Sequence, residues 1–192
     1  MLNKQYWNNR YKNSQTGWDI GTVSSPLKAY FDQLVDKKLH ILIPGCGNAH
    51  EAAYLYNNDF ENVFVLDWSE EALKQFSERL PYFPKKQIVH GDFFEHLGKY
   101  DLIVEQTFFC ALTPQLRFKY AQKMSNLLKN SGKLVGLLFN APLNTTHPPF
   151  GGSPSEYRTY FAPHFNIITM DVCYNSNTPR AGRELFVKLI KK

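Results

Sequence analysis

The sequence is poor in cysteine and has no long apolar run. Its 192 residues include three cysteines, which are far apart, odd in number and without a CxxC motif, so they suggest neither a disulfide framework nor a zinc site. The longest aliphatic stretches, such as residues 134–139, are far too short to span a membrane, and the first residues lack the apolar stretch of a signal peptide. We therefore expect a cytoplasmic protein with reduced thiols, no metal and no membrane partner.

The sequence also lacks clusters of charge of one sign. The formal net charge is +5, and the 22 lysines and arginines are spread along the chain, whereas a nucleic-acid-binding surface usually needs them clustered. We expect no nucleic-acid partner and a monomer or weak dimer. The length suits one domain over residues 1–192. Within it, the N-terminal segment (residues 1–35) is polar and aromatic-rich, and the core covers residues 36–192.

Short apolar runs alternate with helical periodicities through most of the core. The alternation predicts strands at 39–43, 63–66, 87–90, 100–105 and 133–139, and helices at 27–35, 48–58, 69–80, 113–132 and 155–161, with Gly132 ending the fourth of these helices. Two last strands, 166–172 and 184–190, follow each other without room for a helix. These features predict an α/β fold with a mostly parallel seven-stranded sheet, helices on both faces and an antiparallel strand near the edge.

A glycine-containing turn follows the first predicted strand. Gly45 and Gly47 allow a tight turn and close approach of the backbone to a ligand. Asp67 ends the second strand, where a carboxylate can accept hydrogen bonds from both ribose hydroxyls of an adenosine; an ordinary turn aspartate is the alternative. His50 stands where the dinucleotide fingerprint has its third glycine. The turn therefore favours an adenosine ligand without a pyrophosphate.

Further polar residues end the third and fourth predicted strands. Asp92 can reach an adenine amino group and Phe93 can cover the ring, although Gly-Asp is also a common turn. Glu105 and Gln106 lie at the end of the fourth strand, where ligands of such sheets bind; a strand end facing solvent is the alternative.

Several motifs, in a specific order along almost the whole chain, resemble the thiopurine S-methyltransferase family, and most of all its halide and thiol methyltransferase branch. They are Trp7-Asn8-Asn9-Arg10-Tyr11 with Thr16-Gly17-Trp18-Asp19, residues 43–51, Val65-Leu66-Asp67-Trp68-Ser69, Phe108-Phe109-Cys110-Ala111-Leu112, His147-Pro148-Pro149-Phe150 and Thr178-Pro179-Arg180. The chain departs from the pattern at Tyr11, where the plant halide enzymes have Trp, and at Gln106, where relatives have Tyr or Arg.

The resemblance implies a Rossmann-like class I methyltransferase fold and S-adenosylmethionine as the cofactor, with S-adenosylhomocysteine as its product. It implies that the N-terminal segment covers the cofactor as a lid. The cofactor-binding residues expected on this basis are Trp7, Tyr11, Trp18, Gly45, Gly47, Asp67, Asp92, Phe93 and Gln106. The aromatic residues among them suit the sulfonium cation, because aromatic faces stabilise cations.

The expected acceptor is a small soft nucleophile: a thiol, thiopurine, bisulfide, thiocyanate or halide. Phe108 and Phe150 are expected to form an apolar acceptor pocket, and Arg180 to attract an anion or lower the pKa of a thiol; a solvated turn is the alternative for Arg180. A soft nucleophile needs no general base, so no catalytic residue is assigned. Other readings remain open at this point: a methyltransferase for another small molecule or a macromolecule, an NAD-dependent oxidoreductase, or a non-catalytic adenosine-binding module.

Overall fold

A computed structural model describes residues 2–192 of the chain. The helices are α1 Lys4–Lys12, α2 Ser25–Phe31, α3 His50–Asn57, α4 Glu70–Arg79, α5 Arg117–Leu127 and α6 Pro154–Phe161. The strands are β1 His40–Pro44, β2 Asn62–Asp67, β3 Ile88–His90, β4 Tyr100–Gln106, β5 Leu128–Phe139, β6 Phe165–Val172 and β7 Glu184–Lys191. They form one sheet in the order β3-β2-β1-β4-β5-β7-β6. No helix among residues 2–192 is long and apolar enough to cross a membrane.

The chain divides into two compact units, Met1–His96 and Leu97–Lys192, and each is described by itself. In the first unit, β1, β2 and β3 are parallel, and helices α3 and α4 pack against β2. Ile41, Leu42 and Ile43 of β1 are each at most 2% exposed, as expected for a parallel strand covered on both faces. Parallel pairing brings the ends of β1 and β2 to the same edge, where ligands of such sheets bind.

The N-terminal segment contains a helix, α1, that the sequence pattern did not predict. The Asn3 side chain caps it by accepting a hydrogen bond from the Tyr6 N–H at 2.9 Å. Helix α1 lacks a regular apolar face and packs against α4, so tertiary contact rather than periodicity accounts for it. Helix α2 begins and ends earlier than the predicted 27–35, because Pro26 lies in its first turn.

In the second unit, β4 and β5 are parallel, and β7 is antiparallel to both of its neighbours. Val187 of β7 faces Gly136 of β5 on one side and Met170 of β6 on the other. The predicted antiparallel strand near the edge is thus confirmed. All seven predicted strands are present, and only β5 is much longer than expected.

The prediction that Gly132 ends a helix is wrong. Helix α5 ends at Leu127, and Gly132 lies inside β5. The pairing with β4 is irregular there, because Tyr100 faces Leu128 whereas Leu102 faces Lys133. A β-carbon on Gly132 would lie 2.9 Å from a backbone carbonyl oxygen. The glycine therefore lies in an irregular part of the strand rather than at the end of a helix.

Candidate functional site

The turn between β1 and α3 requires left-handed backbone at alternate residues. Gly45, Gly47 and Ala49 have φ angles of +59°, +53° and +51°. This region is easily adopted by glycine and costs other residues about 1–2 kcal/mol. The Cys46 N–H donates to the carbonyl oxygen of Leu66 at 3.2 Å, which ties the turn to the end of β2.

Asp67, the last residue of β2, is held against this turn. Its Oδ2 accepts a hydrogen bond from the Gly47 N–H at 2.8 Å, and its Oδ1 accepts one from the Ser69 N–H at 2.8 Å. The residue is 8% exposed. Burial raises the pKa of Asp67, and the backbone donors of Ser69 and Gly47 oppose that rise. A carboxylate has about four acceptor positions, so the group can still receive a donor from a ligand.

Three aromatic side chains of the N-terminal segment form a cluster beside Gly47. The Trp18 ring meets Trp7 and Tyr11 edge to face, with ring centroids 5.7 and 5.9 Å away. The Arg10 guanidinium lies 5.4 Å from the Trp18 ring centroid. A β-carbon on Gly47 would overlap the Tyr11 hydroxyl, so the missing side chain makes room for this phenol. Burial and, second, the charge of Asp67 raise the pKa of Tyr11, which therefore stays neutral.

Helix α1 is attached to the start of α4. Asn8 Oδ1 accepts hydrogen bonds from the Ser69 hydroxyl at 3.1 Å and from the Glu71 N–H at 2.9 Å. Ser69 is also the N-cap of α4, because its hydroxyl accepts from the Ala72 N–H at 3.2 Å. Ser69, two residues after Asp67, thus links the carboxylate, the helix and the N-terminal segment.

A second attachment runs from Asp19 to the start of α3. Asp19 Oδ1 lies 2.8 Å from His50 Nε2 and accepts from the Gly21 N–H at 2.7 Å, while Oδ2 accepts from the Asn48 side chain. Arg79 donates to His50 Nδ1 at 2.8 Å and to the Asn48 carbonyl oxygen. Since arginine can only donate, His50 Nδ1 accepts from Arg79. The ring proton is then on Nε2, which donates a hydrogen bond to Asp19. The His50 hydrogen bond is the main cause that holds the pKa of Asp19 well below its usual range.

Asp92 and Phe93 follow β3 at the same edge of the sheet as Asp67. His90, the last residue of β3, is in register with Asp67, so Asp92 comes two residues beyond it. Asp92 Oδ1 accepts a hydrogen bond from the Phe94 N–H at 2.8 Å, which is the turn geometry weighed as the alternative. Phe93 is buried and meets Phe94 edge to face.

In the second unit, a buried carboxyl group shapes the loop after β4. Glu105 Oε1 accepts hydrogen bonds from the N–H groups of Phe108 at 2.8 Å and Phe109 at 2.9 Å, and Oε2 accepts from the Tyr120 hydroxyl. Burial raises the pKa of Glu105 to about 7, against the effect of these donors. The neighbouring Gln106 has a buried Oε1 with no hydrogen-bond partner among residues 2–192. An unpaired buried acceptor is costly, so a ligand donor would stabilise it.

The expected acceptor residues all belong to the second unit. The Phe108 ring packs edge to face on Tyr120. Phe150 is 4% exposed, and its N–H donates to the Cys110 carbonyl oxygen at 2.7 Å, which brings it close to the segment after β4. Arg180 is 8% exposed, so the solvated-turn alternative is wrong for it. Its Nη1 donates to Glu184 Oε1 at 3.4 Å.

A cavity of about 270 Å³ adjoins Phe150 in this unit, and Arg117 and Glu156 contribute to its wall. Arg117 is 1% exposed; its Nη1 donates to Glu156 Oε1 at 2.7 Å and its Nη2 to the Gly151 carbonyl oxygen at 2.8 Å. Burial raises the pKa of the nearby Cys110 thiol to about 12, although the charges of Arg180 and Arg117 act to lower it. A thiol of this kind is not the nucleophile of the site.

Some residues that build these sites were not identified from the sequence. Asp19 lies inside one of the recognised motifs, and His50 was noted only as the residue in place of a glycine. Arg79 is an exposed residue in the last turn of α4, and nothing in the sequence pattern distinguished it. Glu105 was noted at a strand end, but its burial and its loop contacts depend on β5 and α5.

The comparisons with known proteins agree with this architecture. A sequence model of the thiopurine S-methyltransferase (TPMT) family matches residues 2–185. The "Probable thiol methyltransferase 2" of Arabidopsis thaliana is 30% identical over 184 residues, which cover 93% of this chain and 81% of that protein. A thiopurine S-methyltransferase of Vibrio cholerae is 25% identical over 179 residues, covering 84% and 82% of the two chains.

Among solved structures, the fold is similar to that of the Burkholderia thailandensis 1,6-didemethyltoxoflavin-N1-methyltransferase, which was crystallised with S-adenosylhomocysteine. The TM-score is 0.80 at 15% identity, with 98% of this chain and 87% of that chain covered. This likeness confirms the predicted Rossmann-like class I methyltransferase fold. Because the family match runs over nearly the whole chain and the relatives align along most of their own length, the chain belongs to the thiopurine S-methyltransferase family.

Proposed function

We propose that this protein transfers the methyl group of S-adenosylmethionine to a small soft nucleophile: a thiol, thiopurine, bisulfide, thiocyanate or halide. The family and the names of the relatives support this class of reaction. The observation that carries the proposal is Asp67, held by the N–H groups of Gly47 and Ser69 beside the aromatic cluster. This combination suits a ligand that has both a ribose and a cationic sulfur.

The residues of the first unit fit the chemistry of this cofactor. The fixed Asp67 carboxylate can accept both ribose hydroxyls, and the cluster of Trp7, Tyr11 and Trp18 offers aromatic faces worth about 0.5–2 kcal/mol each to a cation. Asp92 and Phe93 are at the neighbouring strand end, where an adenine can be bound and covered. The full proposed set of cofactor residues is Trp7, Tyr11, Trp18, Gly45, Gly47, Asp67, Asp92, Phe93 and Gln106. We include Gln106 because its buried Oε1 lacks a partner and suits an ammonium group.

When bound, the cofactor supplies a methyl group on a positively charged sulfur, ready for in-line displacement. The chain's residues act by positioning and by excluding water, which together account for much of the rate enhancement in reactions of this type. The N-terminal segment, attached at Asn8 and Asp19, covers the glycine turn. A soft nucleophile is reactive without a base, so the proposal assigns no general base and requires no metal.

For the acceptor we propose Phe108, Phe150 and Arg180. Phe108 and Phe150 are apolar, and Phe150 is tied to the segment after β4 through Cys110. Arg180 is a buried cation in the segment before β7, and it donates to Glu184 Oε1 at 3.4 Å. Such a group would favour an anionic acceptor or lower the pKa of a bound thiol.

We further propose that the enzyme acts in the cytoplasm on freely diffusing small molecules, as a monomer or weak dimer. The three cysteines are free thiols, which is typical of a reducing compartment. The spread of basic residues along the sequence supports a small-molecule substrate rather than a nucleic acid.

Calorimetric titration tests the cofactor assignment. Wild type, Asp67→Asn and Asp59→Asn are titrated with S-adenosylmethionine and S-adenosylhomocysteine. Hydrogen bonds to a charged group contribute about 1.5–3 kcal/mol, so we expect Asp67→Asn to weaken binding by about ten-fold or more. Asp59→Asn makes the same change at an exposed residue with φ of +67°, a conformation that Asn adopts readily, and should bind like wild type. A wild-type protein that binds neither compound would overturn the proposal.

Acceptor choice is tested with purified enzyme and S-adenosylmethionine by following S-adenosylhomocysteine formation. Iodide, bisulfide, thiocyanate, an aromatic thiol and a thiopurine are compared at equal concentration. We expect at least one to be methylated, and Arg180→Met to raise the KM of the anionic acceptors more than that of a neutral one. Cofactor binding without turnover of any of them would refute the acceptor class and leave the cofactor assignment intact.

A further inference from the structure

The start of α3 already holds a negative charge that belongs to the chain itself. Helix α3 begins at His50, after a left-handed Ala49 that offers no side-chain cap. The Asp19 carboxylate is within hydrogen-bond distance of the side chains of Asn48 and His50, the residues on either side of Ala49. Asp19 arrives from the N-terminal segment, and its side chain is 18% exposed.

In dinucleotide-binding folds, the start of the corresponding helix is occupied by part of the cofactor. The helix after the glycine turn receives the pyrophosphate at its N-terminus, where backbone N–H groups and the helix dipole favour negative charge. Here the two side-chain donors next to the turn, the Asn48 amide and the His50 Nε2–H, both donate hydrogen bonds to Asp19. A second carboxylate, Asp67, takes the N–H of Gly47 within the same turn. A phosphate would therefore meet occupied donors and the additional carboxylate of Asp19.

Arg79, the cation next to Asn48 and His50, is also engaged in hydrogen bonds. Arg79 donates from one nitrogen to His50 Nδ1 at 2.8 Å and from another to the Asn48 carbonyl oxygen. The positive charge of Arg79 thus offsets the negative charge of Asp19, with His50 between them. Because Arg79 uses its nitrogens for these hydrogen bonds, it does not serve as a phosphate ligand. The hydrogen bonds from His50, Asn48 and Gly21 keep the pKa of Asp19 low, so its charge is present throughout the physiological range.

We propose that Asp19 is a specificity-determining residue of the cofactor site, whose carboxylate takes the place of a pyrophosphate at the start of α3 and excludes phosphate-bearing adenosine cofactors. The inference rests on the proposed function and deepens it. S-adenosylmethionine carries an ammonium, a sulfonium and one carboxylate, so its net charge is positive and Asp19 favours it. ADP and NAD⁺ carry a pyrophosphate, which the Asp19 carboxylate repels. His50, in place of the third glycine, is the residue that holds this internal anion.

The test compares two classes of ligand on the same variants. Wild type, Asp19→Asn and the matched Asp59→Asn are titrated with S-adenosylhomocysteine, ADP and NAD⁺ at low ionic strength. We expect the ratio of the dissociation constants, ADP over S-adenosylhomocysteine, to fall at least ten-fold (about 1.4 kcal/mol) in Asp19→Asn because ADP binds more tightly. The fall should diminish with added salt, and Asp59→Asn should leave the ratio unchanged. A ratio within two-fold of wild type, or an equal fall in Asp59→Asn, would overturn the proposal.

The individual dissociation constants separate the charge of Asp19 from its attachment of the N-terminal segment, and thermal unfolding confirms that each variant is folded. If Asp19→Asn loses S-adenosylhomocysteine without gaining ADP, Asp19 only attaches the segment and the proposal is wrong. Failure of wild type to bind S-adenosylhomocysteine would instead contradict the proposed function.

Discussion

Replacement of Glu105 by Gln should change how the stability of the protein depends on pH. The folded protein holds this carboxyl in a buried place with a pKa of about 7, whereas the ordinary value is 4.5. Between these pH values the unfolded chain has lost the proton that the folded chain keeps. Raising the pH therefore favours the unfolded state, and the stability present below pH 4.5 is lost as the pH rises through 7.

The size of the effect follows from the shift in pKa. Each pKa unit corresponds to 1.36 kcal/mol, so the rise from 4.5 to about 7 corresponds to about 3 kcal/mol of unfolding free energy. Gln has the same shape and no charge. Its oxygen can accept from the N–H groups of Phe108 and Phe109, and its amide can donate to the Tyr120 oxygen. The variant should match wild type near pH 5 and exceed its stability by up to about 3 kcal/mol at pH 8.

Urea unfolding at pH 5, 6, 7 and 8 measures this difference, with Glu78→Gln on the exposed surface of α4 as the same chemical change in solvent. Tyr120→Phe provides a second check. It removes a donor that lowers the pKa of Glu105, so the loss of stability should still begin near pH 4.5 but continue to higher pH than in wild type. A constant difference between Glu105→Gln and wild type across this range would refute the reasoning, as would a variant that becomes relatively less stable as the pH rises.

Three other substitutions test the packing around the two sites. Gly47→Ala puts a β-carbon onto the Tyr11 hydroxyl in left-handed backbone, so we expect a loss of about 2–4 kcal/mol in urea unfolding. The double variant with Tyr11→Phe should recover part of this loss. Equal losses in the single and the double variant would contradict the overlap between the β-carbon and the Tyr11 hydroxyl. Ser69→Ala removes the N-cap of α4 and should cost about 1 kcal/mol, and an unchanged urea midpoint would argue against the cap. Gly136→Ala forces a β-carbon into Glu105 on the adjacent strand; a loss of about 2 kcal/mol would lower the melting temperature by about 4–8 °C, and a wild-type melting curve would exclude the overlap.

The sequence was informative where the signal is local. Short apolar runs with turn residues after them predicted β1, β2 and β4, because a buried parallel strand is a short continuous apolar segment. The glycine turn and Asp67 were recognised as a pair, since parallel strands bring their carboxyl ends to one edge. The structure confirms that they meet, through the Gly47 N–H.

The sequence was uninformative where the structure depends on distant partners. His50 and Asp19 are 31 positions apart, and His50 and Arg79 are 29 apart, so no periodicity connects them. Helix α1 has a weak pattern of its own and packs against α4. Gly132 was assigned to a helix end because glycine is common there, but the same residue type also suits a strand bulge. Only the pairing of β5 with β4 distinguishes the two.

The position of β7 between β5 and β6 has a consequence for biosynthesis. It is the last of the seven strands to leave the ribosome, yet it pairs on both sides. At roughly 5–20 residues per second, about 2–9 s separate the synthesis of Phe139 from that of Glu184. During that interval β5 and then β6 expose unpaired backbone groups that other chains can bind. The nascent protein should therefore depend most on chaperones in the seconds before its final strand is inserted.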